Sequence, residues 1–221
     1  MPSDALIELV LVGGGGTSAD VLAIVDDINR EAPRYRVRGL LDDALTPGSQ
    51  QFGVPVLGGL SDAPQLLGNG RLVDCLGSPR SNARREALLQ AKGLAGLPFE
   101  SLVHPRAVVA SSADLGEGCI LYPNVVLLAQ VRLGRHVTVL ANCVLNHDVC
   151  VEDFGILASG VNLSGRVHVG RAAYLGCGCN VRENIRIGDG ALVGLGSAVV
   201  QNVAPGAVVA GVPARVQRSG T

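Results

Sequence analysis

Large aromatic rings are nearly missing from this chain: three Phe, three Tyr and no Trp amount to 3% of 221 residues, and there is one Met. The interior therefore has to be assembled from Val, Leu, Ile and Ala, which suits repetitive strand architectures better than a helical bundle. Net charge is also scarce. A formal charge of -1, with no local run of Lys or Arg, leaves no basic footprint for nucleic acid. One stretch, residues 190–214, lacks charge altogether, but it carries two prolines and several glycines in a short period and reads as buried strands, not as a membrane span. Six cysteines occur with no secretory segment before them, and Cys177 and Cys179 lack metal-ligand spacing, so the expected setting is a reducing cytosol.

What is abundant is glycine, 30 residues, and aliphatic side chains. The length suffices for one large domain or two small ones, and the pattern divides in two. Residues 6–12, LIELVLV, run into GGGG, and the following TSADVLAIVDDINREA places apolar residues at helical spacing. Then come YRVRGLLDD, FGVPVLGG, a short helix near 61–68, the strand RLVDCLGS and a helix in SNARREALLQAKG. Alternating strands and helices of this length predict a small parallel sheet with helical crossovers over residues 1–98.

From Val109 a different rule holds over residues 99–221. Every sixth position from 109 to 199 is Val, Leu or Ile, sixteen in succession. Four places after each stands a second series, Ala113, Cys119, Val125, Val131, Val137, Cys143, that is small or β-branched. Both series are expected to point inward. A six-residue period with one obligatory aliphatic is that of a hexapeptide-repeat parallel β-helix, with three short strands to a coil and residues 18 apart stacked at strand spacing of about 4.8 Å. Cys119, Cys143 and Cys179 then become core filler, while Cys150 and Cys177 lie outside the inward series.

The hexapeptide array from 109 to 200, GVPAR at 211–215, HPRAVV at 104–109, NHD at 146–148 and the leading GGGG and LLDD segments together resemble the NeuD/PglD-like sugar acyltransferases. The resemblance implies a Rossmann-like sugar-nucleotide-binding domain followed by a left-handed β-helix, a cytoplasmic homotrimer with active sites between subunits, acetyl-CoA as cosubstrate, no metal, and a place in surface-glycan biosynthesis. It makes His147 the general base and Asp148 its partner. The chemistry agrees, because acetyl transfer from a thioester to an amine needs a group titrating near neutrality to take the amine proton. Register adds that position 165, stacked on His147, is Gly165, which predicts room there for the pantetheine arm or the substrate. Asp148 has two available partners, His147 and, one coil on, Arg166.

By the same resemblance Ile156, Gly165, Gly176, Cys177, Leu195 and Arg215 are the acetyl-CoA contacts, and Gly15, Gly16, Thr17, Asp42, Asp43 and Gly77 the sugar-nucleotide contacts. Relatives commonly carry histidine where this chain has Thr17, and some carry one at the position of Ile156. The glycine turn itself allows close backbone approach to a phosphate at a helix N-terminus. A zinc site of the carbonic-anhydrase kind is disfavoured, since His136, His147 and His168 occupy different registers of the repeat. The rival readings are a non-catalytic sugar-nucleotide sensor or scaffold and an O-acetyltransferase of a sugar such as sialic acid. An NAD-dependent enzyme is weaker, with no catalytic set beside the glycine turn.

Overall fold

The computed structural model describes residues 6–219. Two compact units result: Met1–Leu76 with Glu86–Pro105, and Gly77–Arg85 with Arg106–Thr221.

The first unit holds β1 (Ile7–Val12), α1 (Gly16–Glu31), β2 (Tyr35–Leu41), the two-residue β3 (Gln50–Gln51), β4 (Val54–Gly58), α2 (Ala63–Leu66) and β5 (Arg71–Asp74). Its sheet runs β3-β4-β2-β1-β5, parallel except where β3 joins β4. Parallel neighbours require a crossover, and α1 supplies the one between β1 and β2. Strand β1 is interior, flanked by β2 and β5, and Leu9, Val10, Leu11 and Val12 are all buried, which is why this strand reads as a continuous apolar run and not as an alternation. Helix α1 buries Val21, Ile24 and Val25, the three-and-four spacing of one helical face. The helix expected near 61–68 is a 3₁₀ turn, Leu60–Asp62, followed by the single turn of α2 with a proline at its start. Proline suits a first helical turn and cannot sit inside a longer one, so the segment divides there. The second expected helix likewise opens as a 3₁₀ turn, Asn82–Arg84, before α3 (Arg85–Ala91).

The second unit is a parallel β-solenoid, a left-handed β-helix. Its rungs are two-residue strands that pair with the strand 18 residues on: Val126 with Val144, Val144 with Asn162 and Asn162 with Asn180 on one face, Arg132 with Cys150 and Cys150 with His168 on the second, Thr138 with Ile156 and Ile156 with Tyr174 on the third. Both predicted inward series are inside. From Leu121 to Val199 every member of the sixfold aliphatic series is buried; only Val109 and Leu115, in the first coil, are partly exposed. Each buried Leu or Val contributes roughly 1.5–3 kcal/mol, and the ladder repeats that gain at every face. Burial pushes the thiols of Cys119 and Cys143 up to about 11 and that of Cys179 to about 12, so these sulfurs stay protonated and serve as small core groups.

The corners follow the same period. Asn124, Gln130, His136, Asn142, Asp148, Phe154, Arg166, Ala172 and Asn184 all have φ between 53° and 63°, and Gly118, Gly160, Gly178, Gly190 and Gly196 fill the other corner positions. A left-handed residue costs an L-amino acid roughly 1–2 kcal/mol. The cost is offset by amide bonds to the coil before, such as Asp148 N to Ala129 O at 3.0 Å and His136 N to Glu117 O at 2.8 Å. The chain leaves the solenoid through Val208–Gly211 and the antiparallel strand Ala214–Arg218, with a cis Val212–Pro213 peptide between them.

Candidate active site

His147 stands at the corner between the strands Val144–Leu145 and Cys150–Val151. Leu145 and Val149 on either side are buried and anchor this corner to the core, while the imidazole is 53% exposed. Its Nδ1 lies 2.8 Å from Asp148 Oδ2. The left-handed backbone at Asp148, φ 61°, is one that Asp tolerates better than most residues. A carboxylate on Nδ1 holds the proton there in the neutral ring and leaves the Nε2 lone pair free to act as a base. An exposed pair of this kind adds little stability; what it supplies is tautomer and orientation.

Arg166 takes no part in this pairing. Its Nε donates to Asn184 Oδ1 at 2.8 Å, one coil further along, and among the described residues Asp148 pairs with the histidine. Gly165 lies directly beneath the ring: a Cβ there would fall 2.5 Å from His147 Nε2 and 2.6 Å from Cε1. The space expected above Gly165 is therefore filled by the imidazole itself, because the ring folds down on a stacked position that has no side chain. Asn146 completes the corner by donating from Nδ2 to Leu163 O at 2.9 Å.

The other histidines are committed elsewhere. His136 is buried and stacked on Phe154 with centroids 4.8 Å apart. His168 Nε2 lies 3.0 Å from Glu152 Oε1 and His104 Nε2 3.0 Å from Asp27 Oδ2.

No family model and no curated protein matches the chain. Solved structures do. A histidine-to-asparagine variant of perosamine N-acetyltransferase from Caulobacter crescentus, in complex with CoA and GDP-perosamine, is 28% identical over 97% of this chain and 98% of its own, with a TM-score of 0.85. The acetyltransferase domain of PglB from Neisseria gonorrhoeae, in complex with acetyl coenzyme A, is 26% identical over 96% of this chain and all of its own, TM-score 0.82. WeeI from Acinetobacter baumannii shares the fold at 23% identity and TM-score 0.80. Over nearly its whole length the chain is similar to sugar acyltransferases of the hexapeptide-repeat β-helix kind.

In the β-helix, Gly176, Cys177 and Leu195 come together at the neighbouring corner, which bounds the other edge of the face carrying Val144, Asn162 and Asn180. A Cβ on Gly176 would lie 2.6 Å from Leu195 N, so the coils touch closely there. Cys177 is exposed, and Leu195 is 81% exposed, an apolar side chain with no cover from its own chain. Between the two corners Asn162 Nδ2 donates to Asn180 Oδ1 at 3.2 Å. Sequence reasoning passed over this asparagine pair, although its 18-residue spacing at an outward position was the available signal. Arg215 lies exposed on the tail strand, where its Nη1 donates to its neighbour's carbonyl, Ala214 O, at 3.0 Å. Ile156 is placed differently from these: it is 5% exposed, and its Cδ1 would lie 2.7 Å from a Cβ on Gly77.

Of the expected sugar-nucleotide residues, Gly15, Gly16, Thr17, Asp42 and Asp43 lie in the first unit and Gly77 in the second. Gly15 and Gly16 open α1 and are exposed, and a Cβ on either would meet nothing within 4 Å. Thr17 follows in the first turn, which carries no acidic residue. Asp42 is engaged by the protein itself: Oδ2 accepts from Gly14 N and Oδ1 from Ala44 N, both at 2.7 Å, so it shapes the turn. Asp43 accepts from Lys92 Nζ at 2.8 Å and from Leu60 N at 2.9 Å. Lys92 first, then the Leu60 amide, hold its carboxyl below the usual carboxylate range.

Proposed function

We propose that this protein is an acetyl-CoA-dependent N-acetyltransferase acting on the amino group of a nucleotide-linked amino sugar in surface-glycan biosynthesis, with His147 as general base. The observation that carries the proposal is the half-exposed His147, fixed through Nδ1 by Asp148 and seated on Gly165, in a chain that matches a CoA- and GDP-perosamine-bound acetyltransferase over nearly its whole length.

In the reaction, the sugar amine attacks the thioester carbonyl carbon as His147 Nε2 accepts the amine proton. The tetrahedral oxyanion then collapses, the carbon–sulfur bond breaks, and the imidazolium returns a proton to the CoA thiolate. Asp148 stabilises the imidazolium in between. The acyl donor lies against Gly176, Cys177 and Leu195, beside the imidazole that covers Gly165, with Arg215 available for a CoA phosphate; Leu195 gains the apolar cover that its own chain does not provide. Ile156, being buried, contributes shape and no hydrogen bond.

The Rossmann-like first unit would take the nucleotide. Internal packing gives no reason for glycine at 15 and 16, whereas a diphosphate approaching the backbone at the N-terminus of α1 does. Thr17 contacts the nucleotide sugar, Asp42 holds the turn, and Asp43 with Lys92 lies at the end of β2. The assembly is a homotrimer with active sites between subunits, as the family resemblance implies.

The test is a panel of GDP-, UDP- and dTDP-linked amino sugars with acetyl-CoA, read by thiol release and by the mass of the product. One acceptor turned over with an added acetyl on nitrogen is the expected result. Acetylation on oxygen alone, or acceptor binding without thiol release, sinks the assignment.

A further inference from the structure

Gly77–Arg85 precedes the repeat by more than twenty residues, yet it belongs to the β-helix unit. Two of its side chains are nearly inaccessible although both are polar: Asn82 and Arg85 are each 2% exposed. Neither is buried by chance. Asn82 Nδ2 donates to Phe154 O and Ala172 O, both at 2.9 Å, and reaches Ala173 O at 3.4 Å. Arg85 Nη2 donates to His136 O, Nη1 meets Asn82 Oδ1 at 3.4 Å, and the guanidinium lies over the Phe154 ring, 5.4 Å from its centroid.

The targets share one place in the fold. His136, Phe154 and Ala172 are three successive left-handed corner residues, 18 apart, with φ of 57°, 63° and 53°. At each of them the amide is used for coil stacking, to Glu117 O, Arg135 O and Asp153 O respectively, and the carbonyl receives a side chain from 82 or 85 instead. The segment is thus fastened across three coils by donors matched to the spacing of the repeat. Its far end is Gly77, with φ +121°, where a Cβ would lie 2.7 Å from Ile156 Cδ1 and 3.3 Å from Arg85 Nη1.

We infer that Asn82 and Arg85 are positioning residues for the acceptor substrate, holding Gly77 against Ile156 on the β-helix, so that the backbone meeting the sugar nucleotide is registered to the coils that carry His147. This rests on the proposed function, in which Gly77 is an acceptor contact. A purely structural clasp would alter stability and leave the two substrates affected alike; a positioning clasp affects the acceptor selectively.

The experiment compares Asn82→Ala, Arg85→Met and the conservative Arg85→Lys with the wild-type full chain, after circular dichroism has verified the fold. Hydrogen exchange over residues 77–85 and separate KM values for sugar nucleotide and acetyl-CoA are measured. Expected are faster exchange confined to 77–85, an acceptor KM raised about tenfold or more, an acetyl-CoA KM within twofold, and partial rescue by Arg85→Lys. Equal changes in both KM values, or an unchanged acceptor KM despite faster exchange, overturn the inference. If Arg85→Met does not fold, the milder Asn82→Ala decides it. A wild-type chain that transfers no acetyl group overturns the proposed function and the acceptor role with it, and that result is distinguishable because the exchange pattern reports the clasp without turnover.

Discussion

Two histidines occupy corners of the same β-helix and meet opposite fates. His136 stacks at 4.8 Å, nearly parallel, on the residue 18 positions later, Phe154, and is 8% exposed. His147 meets Gly165 at the same offset, keeps half its surface, and has its Nδ1 on Asp148. They sit one position apart in the repeat: His136 is itself the left-handed residue, with its amide on Glu117 O, whereas at the other corner Asp148 takes that place and His147 precedes it. The stacked residue differs as well. An aromatic ring turns a corner histidine into packing, and a glycine leaves the ring room to lie down with one nitrogen available for chemistry.

The sharpest way to separate the two is to remove each ring. His147→Ala should lower kcat by about 10²–10⁴, the usual worth of a positioned base, with no change in thermal unfolding, because an exposed ring contributes little packing. His136→Ala should do the reverse. It loses a stacked pair worth roughly 0.5–1.5 kcal/mol beyond its buried area, so the midpoint of unfolding falls while kcat stays within a few-fold. Alanine itself is tolerated at such a corner, as Ala172 shows with φ 53°. Matched losses of activity in both variants would erase the distinction.

The repeat was legible because its physics is periodic in sequence: one aliphatic per six residues has no other explanation over ninety residues, and burial of Leu121 through Val199 follows from it. Register even foretold that Gly165 would neighbour His147. It did not foretell that the imidazole would fill the gap, since side-chain direction depends on the rotamer and not on the period. The clasp at 77–85 was illegible for a deeper reason. Asn82 and Arg85 bind backbone carbonyls, which every residue has, so the partner leaves no trace in its own sequence. SNARRE reads locally as a helix start, and that is also true of it. Asp42 illustrates the same limit, as its acceptors are taken by amides of Gly14 and Ala44.

Gly165→Ala converts one corner part-way into the other. The new Cβ would lie within 2.6 Å of two imidazole atoms, so the ring must lift or swing away while the backbone, which is not in the left-handed region, accepts alanine. Misplacing a catalytic group by about 1 Å can cost on the order of 10²-fold; a drop of 10- to 100-fold in kcat with little change in stability is expected. Full activity would show that the ring already leaves Gly165 during turnover.

Asp148→Asn makes the smallest change. Asn accepts the left-handed backbone as readily as Asp, as Asn124, Asn142 and Asn184 do at other corners, so stability should stay within about 0.5 kcal/mol. The amide can still touch Nδ1, but it no longer stabilises the imidazolium. The amide can present either its oxygen or its nitrogen to Nδ1, so the tautomer that leaves Nε2 free is no longer enforced, and kcat should fall about tenfold. An unchanged kcat would assign Asp148 to corner geometry alone, and the contrast with His136 would then rest on Gly165.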